Sequence, residues 1–299
     1  MNKYDKMITQ LNKVSKMPIQ NAAKIKNYFA DPYKPITLFN WECPPRYIKY
    51  DKTSGTPYIS FDVAMPNIAK GVPIDNYTEI PRAVSMKKEE SDILKYIKAS
   101  GINFQFVKLI ADTNSRFIYP SSLKYEDSKV ITLKKNEFRS LIANSVADYP
   151  ATVRVYNFWD LLKMTGLQKT YRNLFDLVYK ELAKPRQKLL ASSIINKQIT
   201  RTREHIGIKD KVLAKEVAIR TVATYGVEGI ILEKLEKTKY MSNCVWFNTE
   251  EVSKRALVIT NFLRRSIGAD PLPMIFPDPG LISSVKTNTS ILFRKANYD

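Results

Sequence analysis

The chain has little of what most enzyme signatures are made from. Two cysteines, Cys43 and Cys244, exclude a disulfide scaffold and a cysteine-built structural zinc site. A lone histidine, His205, excludes HExxH and most multi-histidine metal centres. Only 9 glycines are spread over 299 residues, and neither G-x-G-x-x-G nor G-x-x-x-x-G-K-[ST] occurs, so the usual glycine-rich phosphate loops are missing. No apolar run approaches the roughly 18 residues of a membrane span, and the first residues lack the apolar stretch of a signal peptide. The expectation is a soluble, cytoplasmic protein with no transmembrane segment and no disulfide-linked partner.

Acidic residues are also scarce relative to basic ones. Lys and Arg number 48 against 29 Asp and Glu, a net charge of +19. Such an excess favours polyanions through phosphate contacts and counterion release. It points to nucleic acid, DNA or RNA, or to a nucleotide as partner; a lysine-rich compositional bias is the plain alternative. The charge is densest between Lys184 and Arg220, with ten basic residues against three acids. Arg186, Lys188, Lys197, Arg201 and Arg203 in that segment are the candidate phosphate-binding residues, with Tyr171 and Tyr179 as stacking platforms if they are not core.

Residues 1–35 read as a basic helical segment. Ile8, Leu11, Val14 and Met17 recur at helical spacing among lysines, and Pro32 and Pro35 end the pattern. From 36 to 165 strands and helices alternate. Ile36–Trp41 is a strand, Tyr47–Tyr50 and Tyr58–Val63 a hairpin, 64–85 a proline-bearing excursion, and Lys87–Lys98 a helix. The stretch Phe104–Pro120 opens as a central strand buried on both faces and breaks at the polar loop Asp112–Arg116; Lys135–Val146 is a helix and Thr152–Phe158 a strand. This order predicts an α/β fold, Rossmann-like, with an at least partly parallel sheet. From 166 to 299 the pattern is helix-rich and basic, packing on the same core: Tyr171–Leu182, one or two helices between Arg186 and Tyr225, with Ile230–Lys239 as their candidate continuation, and Glu250–Ile267. Short strands are expected at Val245–Phe247 and Ser290–Phe293, the latter within a proline-rich tail.

Four predicted strands end in an acid: Glu42, Asp62, Asp112 and Asp160. Ligands of open α/β sheets bind at the carboxyl ends of strands, where carboxylates can act as bases, grip a ribose or hold Mg²⁺. These four are the candidate catalytic residues, with Asp112 and Asp62 as candidate metal ligands. Arg46 and Arg116 each follow a strand-end acid by four residues and are candidate phosphate ligands. The opposing reading is structural: helix caps, turns and local ion pairs. The expected function is therefore nucleotide or nucleic-acid binding, with metal-assisted phosphoryl or nucleotidyl transfer, or nucleotide modification, at strand-end carboxylates. A non-enzymatic nucleic-acid-binding protein is the competing class.

Tyr225-Gly226-Val227-Glu228 reads as the end of a long helix below the basic segment. With the Rossmann-like first half, this layout resembles the cyclodipeptide synthases. The resemblance implies an aminoacyl-tRNA substrate bound by a basic helix and served by a Tyr/Glu pair. The chain departs from that family where its nucleophilic serine follows the first strand, having Asn40-Trp41-Glu42-Cys43 instead. Its Tyr–Glu spacing differs too.

Overall fold

A computed structural model describes residues 36–42, 46–50, 52–54, 57–61, parts of 90–98, 104–112, 117–120, 123–125, 128–183 and most of 195–247, together with 273–277 and 291–295. Its frame is a six-stranded sheet. Strand β1 is Ile36–Glu42, β4 is Phe104–Ile110, β6 is Val153–Asn157 and β7 is Cys244–Phe247. Strands β8 (Pro273–Pro277) and β9 (Ile291–Lys295) complete it. The order across the sheet is β6-β4-β1-β7-β8-β9. All neighbours run parallel except β8 and β9, which form an antiparallel pair. The predicted hairpin is present as β2 (Arg46–Tyr50) and β3 (Pro57–Phe61), paired antiparallel. It forms a separate small sheet with β5, Lys124–Tyr125.

The sequence explains why β1 and β4 are central. Their registers pair Ile36 with Phe104 and Glu42 with Ile110. Both strands are largely apolar and buried on two faces, as a parallel sheet covered by helices requires. On one face, Phe39, Val107 and Leu109 enter the main core. That core is supplied by α2 (Phe158–Met164), α3 (Gln168–Ala183) and α4 (Lys211–Leu235). On the other face lie Leu38, Asn40, Glu42, Phe106 and Lys108, whose partners include Glu90 and Tyr149. Glu90, Leu94 and Lys98, at four-residue intervals, are all helical, within the helix expected at 87–98. Helix α1, Ser128–Ser145, contacts β6 and begins before the expected Lys135. Phe138, Ile142 and Val146 are buried as its periodicity required.

The second half departs from its sequence reading in two places. Helix α4 continues through Gly226 and Gly229 to Leu235 without the break expected near Tyr225. Each glycine costs a helix about 1 kcal/mol relative to alanine, but α4 is buried along most of its sides and packing outweighs propensity. Pro273 and Pro277 close the two ends of β8, where a missing N–H is tolerated, so prolines that looked like tail mark strand limits. Strands β7, β8 and β9 follow residue 166, and the sheet thus draws on both halves of the chain. The expected segments 1–35, 64–85 and Glu250–Ile267 lie outside the described residues. No described helix is long and apolar enough to cross a membrane.

Candidate functional site at the carboxyl edge of the sheet

Strands β1, β4 and β6 lie side by side and parallel, so their carboxyl ends form one edge. Glu42 is the last residue of β1. Beyond β4, the Ala111 N–H donates to the Glu42 carbonyl at 2.8 Å, keeping the two strand ends together. Asp112 follows and is only 5% exposed. Its Oδ1 accepts from the backbone N–H of Trp159 at 2.8 Å, at the start of α2. The helix N-cap position itself is Asn157, whose side chain makes no capping bond. The cap comes from the neighbouring strand instead, and the helix N-terminus favours that carboxylate as an anion. Asp160, exposed in the first turn of α2, accepts from Asn157 Nδ2 at 3.2 Å. Three of the four predicted acids, Glu42, Asp112 and Asp160, thus stand along one edge of three adjacent strands. Asp62 lies outside the described residues.

Glu42 has a second engagement that the sequence reading missed. Lys108 sits two residues before the end of β4 and is fully buried. Its ammonium lies 3.0 Å from Glu42 Oε1 and 2.5 Å from Glu90 Oε2. Tyr149 Oη donates to Glu90 Oε2 at 2.7 Å, and Asn40 Nδ2 donates to Glu90 Oε1 at 2.7 Å. Glu90 therefore receives three donors. Burial raises the Tyr149 hydroxyl far above its ordinary pKa, and the Glu90 carboxylate beside it adds to the shift, so Tyr149 stays a neutral donor. The signal for this cluster was present in the sequence. A lysine in the middle of FQFVKLI, a strand expected to be buried on both faces, cannot remain charged without carboxylate partners.

The basic candidates divide. Arg46 opens β2, immediately after the β1 carboxyl end. Arg116, Arg186, Lys188 and Lys197 lie outside the described residues. Arg201 is half-buried, and Arg203 is exposed in a π-helical turn, Thr202–Ile206, closed by Gly207 at φ 86°. Tyr171 is fully buried in the main core, which removes it as a stacking platform. Tyr179 is half-buried, stacked on Phe175 and covered by the Arg220 guanidinium 4.8 Å away. Cys244 is a buried thiol that donates to the Met241 carbonyl at 3.5 Å, and Cys43 lies outside the described residues.

Tyr225 and Glu228 stand one turn apart within α4 rather than at its end. Among the described residues, no three Asp, Glu, His or Cys side chains are grouped to hold a metal ion. Compared with models of known protein families and with curated protein sequences, the chain matches none.

Proposed function

We propose that this protein binds a nucleotide or nucleic acid across the carboxyl edge of its sheet and acts on it through the acids there. One observation carries the reading. The chain moves from β1 to β4 and β6 on one side, then returns to β7 on the other side of β1. In chain order the parallel strands read 3-2-1-4-5, the doubly wound, Rossmann-like order, whose ligands bind at the carboxyl ends beside the first strand. Asp112, at the end of the second strand of that order, is the acid this reading assigns to the ligand's side of the edge. Asp160 is the exposed acid of the edge, whereas Glu42 is fully buried and held by Lys108, so it supports the edge from the interior and does not face a ligand. One or two of these carboxylates, with substrate phosphates and water, would hold Mg²⁺, which would neutralise phosphate charge there. The net charge of +19 supports a polyanionic ligand.

The test measures binding of ATP, single-stranded RNA and DNA, duplex DNA and tRNA across a salt series, with Mg²⁺ present and absent, followed by turnover of whichever ligand binds. Asp112→Asn keeps an oxygen for the Trp159 N–H, so the variant should fold and bind but lose turnover. Binding with turnover unchanged in Asp112→Asn would remove the acid from the chemistry. Binding without any turnover would leave a non-enzymatic binding protein. A second reading, an aminoacyl-tRNA-dependent synthase, draws on Glu228, only 7% exposed beside half-buried Tyr225. It requires that charged tRNA bind more tightly than uncharged tRNA and be consumed.

A further inference from the structure

A polar pocket of about 510 Å³ opens beside the π-helical turn, lined by Ile199, Thr200, Arg203, Glu204, Ile208 and Lys209. Its volume falls within the roughly 300–1,000 Å³ of small-ligand sites. Its chemistry is that of an anion seat. Two exposed cations, Arg203 and Lys209, line the pocket against one exposed carboxylate, Glu204, while the Thr200 hydroxyl donates to the Asn196 carbonyl at 3.3 Å.

The turn that builds it is specified locally. Thr202 carbonyl accepts from both the Gly207 and the Ile208 N–H groups, which closes a turn wider than an α-helix. Gly207 supplies the left-handed backbone conformation that lets the chain leave it. Single π-turns of this kind recur at functional sites, because they shift the side chains that follow out of helical phase.

The pocket's place in the fold gives it meaning. Ile208 packs with Ile118, Tyr119 and Leu123, the segment that follows the carboxyl end of β4. The π turn also contacts β2, the strand that follows the carboxyl end of β1. Arg220, on the first half of α4, donates to the Phe117 carbonyl at 3.3 Å. The far end of α4 leads to Tyr240 and Ser242, whose carbonyls accept from Gln105 and Thr37 at the amino ends of β4 and β1. The start of α4, and the pocket before it, therefore lie toward the carboxyl ends of the strands.

We infer that this pocket is the phosphate seat of the carboxyl-edge ligand, with Arg203 and Lys209 as its cations. This inference rests on the function proposed above and assigns the charged end of the ligand to a place the acids do not occupy. Acids and cations then divide the work. The edge handles the sugar or reacting group, and the pocket holds a phosphate away from the carboxylates that would repel it. Glu204 is a negative rim that weakens the seat.

Three forms of the full-length chain test it: wild type, the double variant Arg203→Ala with Lys209→Ala, and Glu204→Gln. Each is titrated with ATP and with a fluorescein-labelled single-stranded oligonucleotide across a salt series. All three substituted side chains are exposed, and circular dichroism checks that the fold is retained. The double variant should lose about tenfold or more in affinity, the scale of losing charge-assisted hydrogen bonds. Its salt slope should fall by between about one and two. Glu204→Gln should bind more tightly than wild type, a gain that misfolding cannot mimic. Binding of the oligonucleotide alone would identify a polynucleotide backbone as the phosphate source, and binding of ATP as well would identify a nucleotide. Wild-type binding that neither variant alters would overturn the seat and leave the carboxyl-edge reading standing. No binding of either probe by wild type would overturn both. Altered binding in the pocket variants, with normal binding and turnover in Asp112→Asn, would keep the seat and discard the carboxylate chemistry.

Discussion

Lys108 is the side chain most exposed to error in this fold, because it is charged, buried and central. Removing it leaves Glu42 and Glu90 facing each other in the interior with their common cation gone. Lys108→Ala is expected to cost about 3–5 kcal/mol of stability, the scale for breaking a buried ion pair on one side, read from the denaturation midpoint. A loss below about 1 kcal/mol would place the pair in solvent. Tyr149 makes a second prediction, this time about pH. Its hydroxyl titrates above its ordinary value in the folded protein, because burial and the Glu90 carboxylate disfavour the phenolate. The unfolded chain therefore loses this proton first, near pH ~10, and binds fewer protons than the native state above that point. Stability contributed by the neutral hydroxyl is complete below that pH and falls as pH rises past it. Tyr149→Phe should remove about 1.4 kcal/mol per pH unit of that alkaline decline, measured by unfolding between neutral and strongly alkaline pH. An unchanged slope would contradict the burial of this hydroxyl.

At the scale of elements, two glycines do work that no other residue could do without strain. Gly166 ends α2 at φ 70°, with its N–H donating to the Lys163 carbonyl and the Leu167 N–H to the Leu162 carbonyl, a Schellman closure. Gly207 closes the π turn in the same backbone region, and a Cβ at either position would meet no neighbouring atom. The cost of Gly207→Ala is therefore one of backbone conformation alone. It should destabilise by about 1 kcal/mol and, by shifting Arg203 relative to Lys209, weaken phosphate binding. The elements also show what was legible beforehand. The strands at 36–42, 104–110 and 153–157 were readable because apolar, β-branched and aromatic runs of that length have few other uses. Helix α4 was read as interrupted near Tyr225 because Gly226 and Gly229 mark an end only when the helix is exposed, and its burial is a tertiary fact. Pro273 and Pro277 hid β8 for the opposite reason: proline excludes a strand interior but not its two ends. Asp112 was recognised as a strand-end acid, yet its bond to the Trp159 N–H joins residues 47 positions apart and had no local signal.

For the whole molecule, the described strands form a six-stranded sheet, parallel except for β8–β9, with acids at or just after the ends of β1, β4 and β6 and a pocket bearing Arg203 and Lys209 before α4. Strand order was beyond the sequence because nothing local decides on which side of β1 a returning strand pairs. Once the order is known, the acids at 42, 112 and 160 become neighbours along one edge. The most direct test of this account is hydrogen exchange of the full-length protein with and without saturating single-stranded oligonucleotide or ATP. The account predicts slowed exchange at 108–123, 157–162 and 199–211, the three segments that meet at the carboxyl edge and its pocket. Protection confined to 236–244, at the amino edge, or to α1 would contradict it.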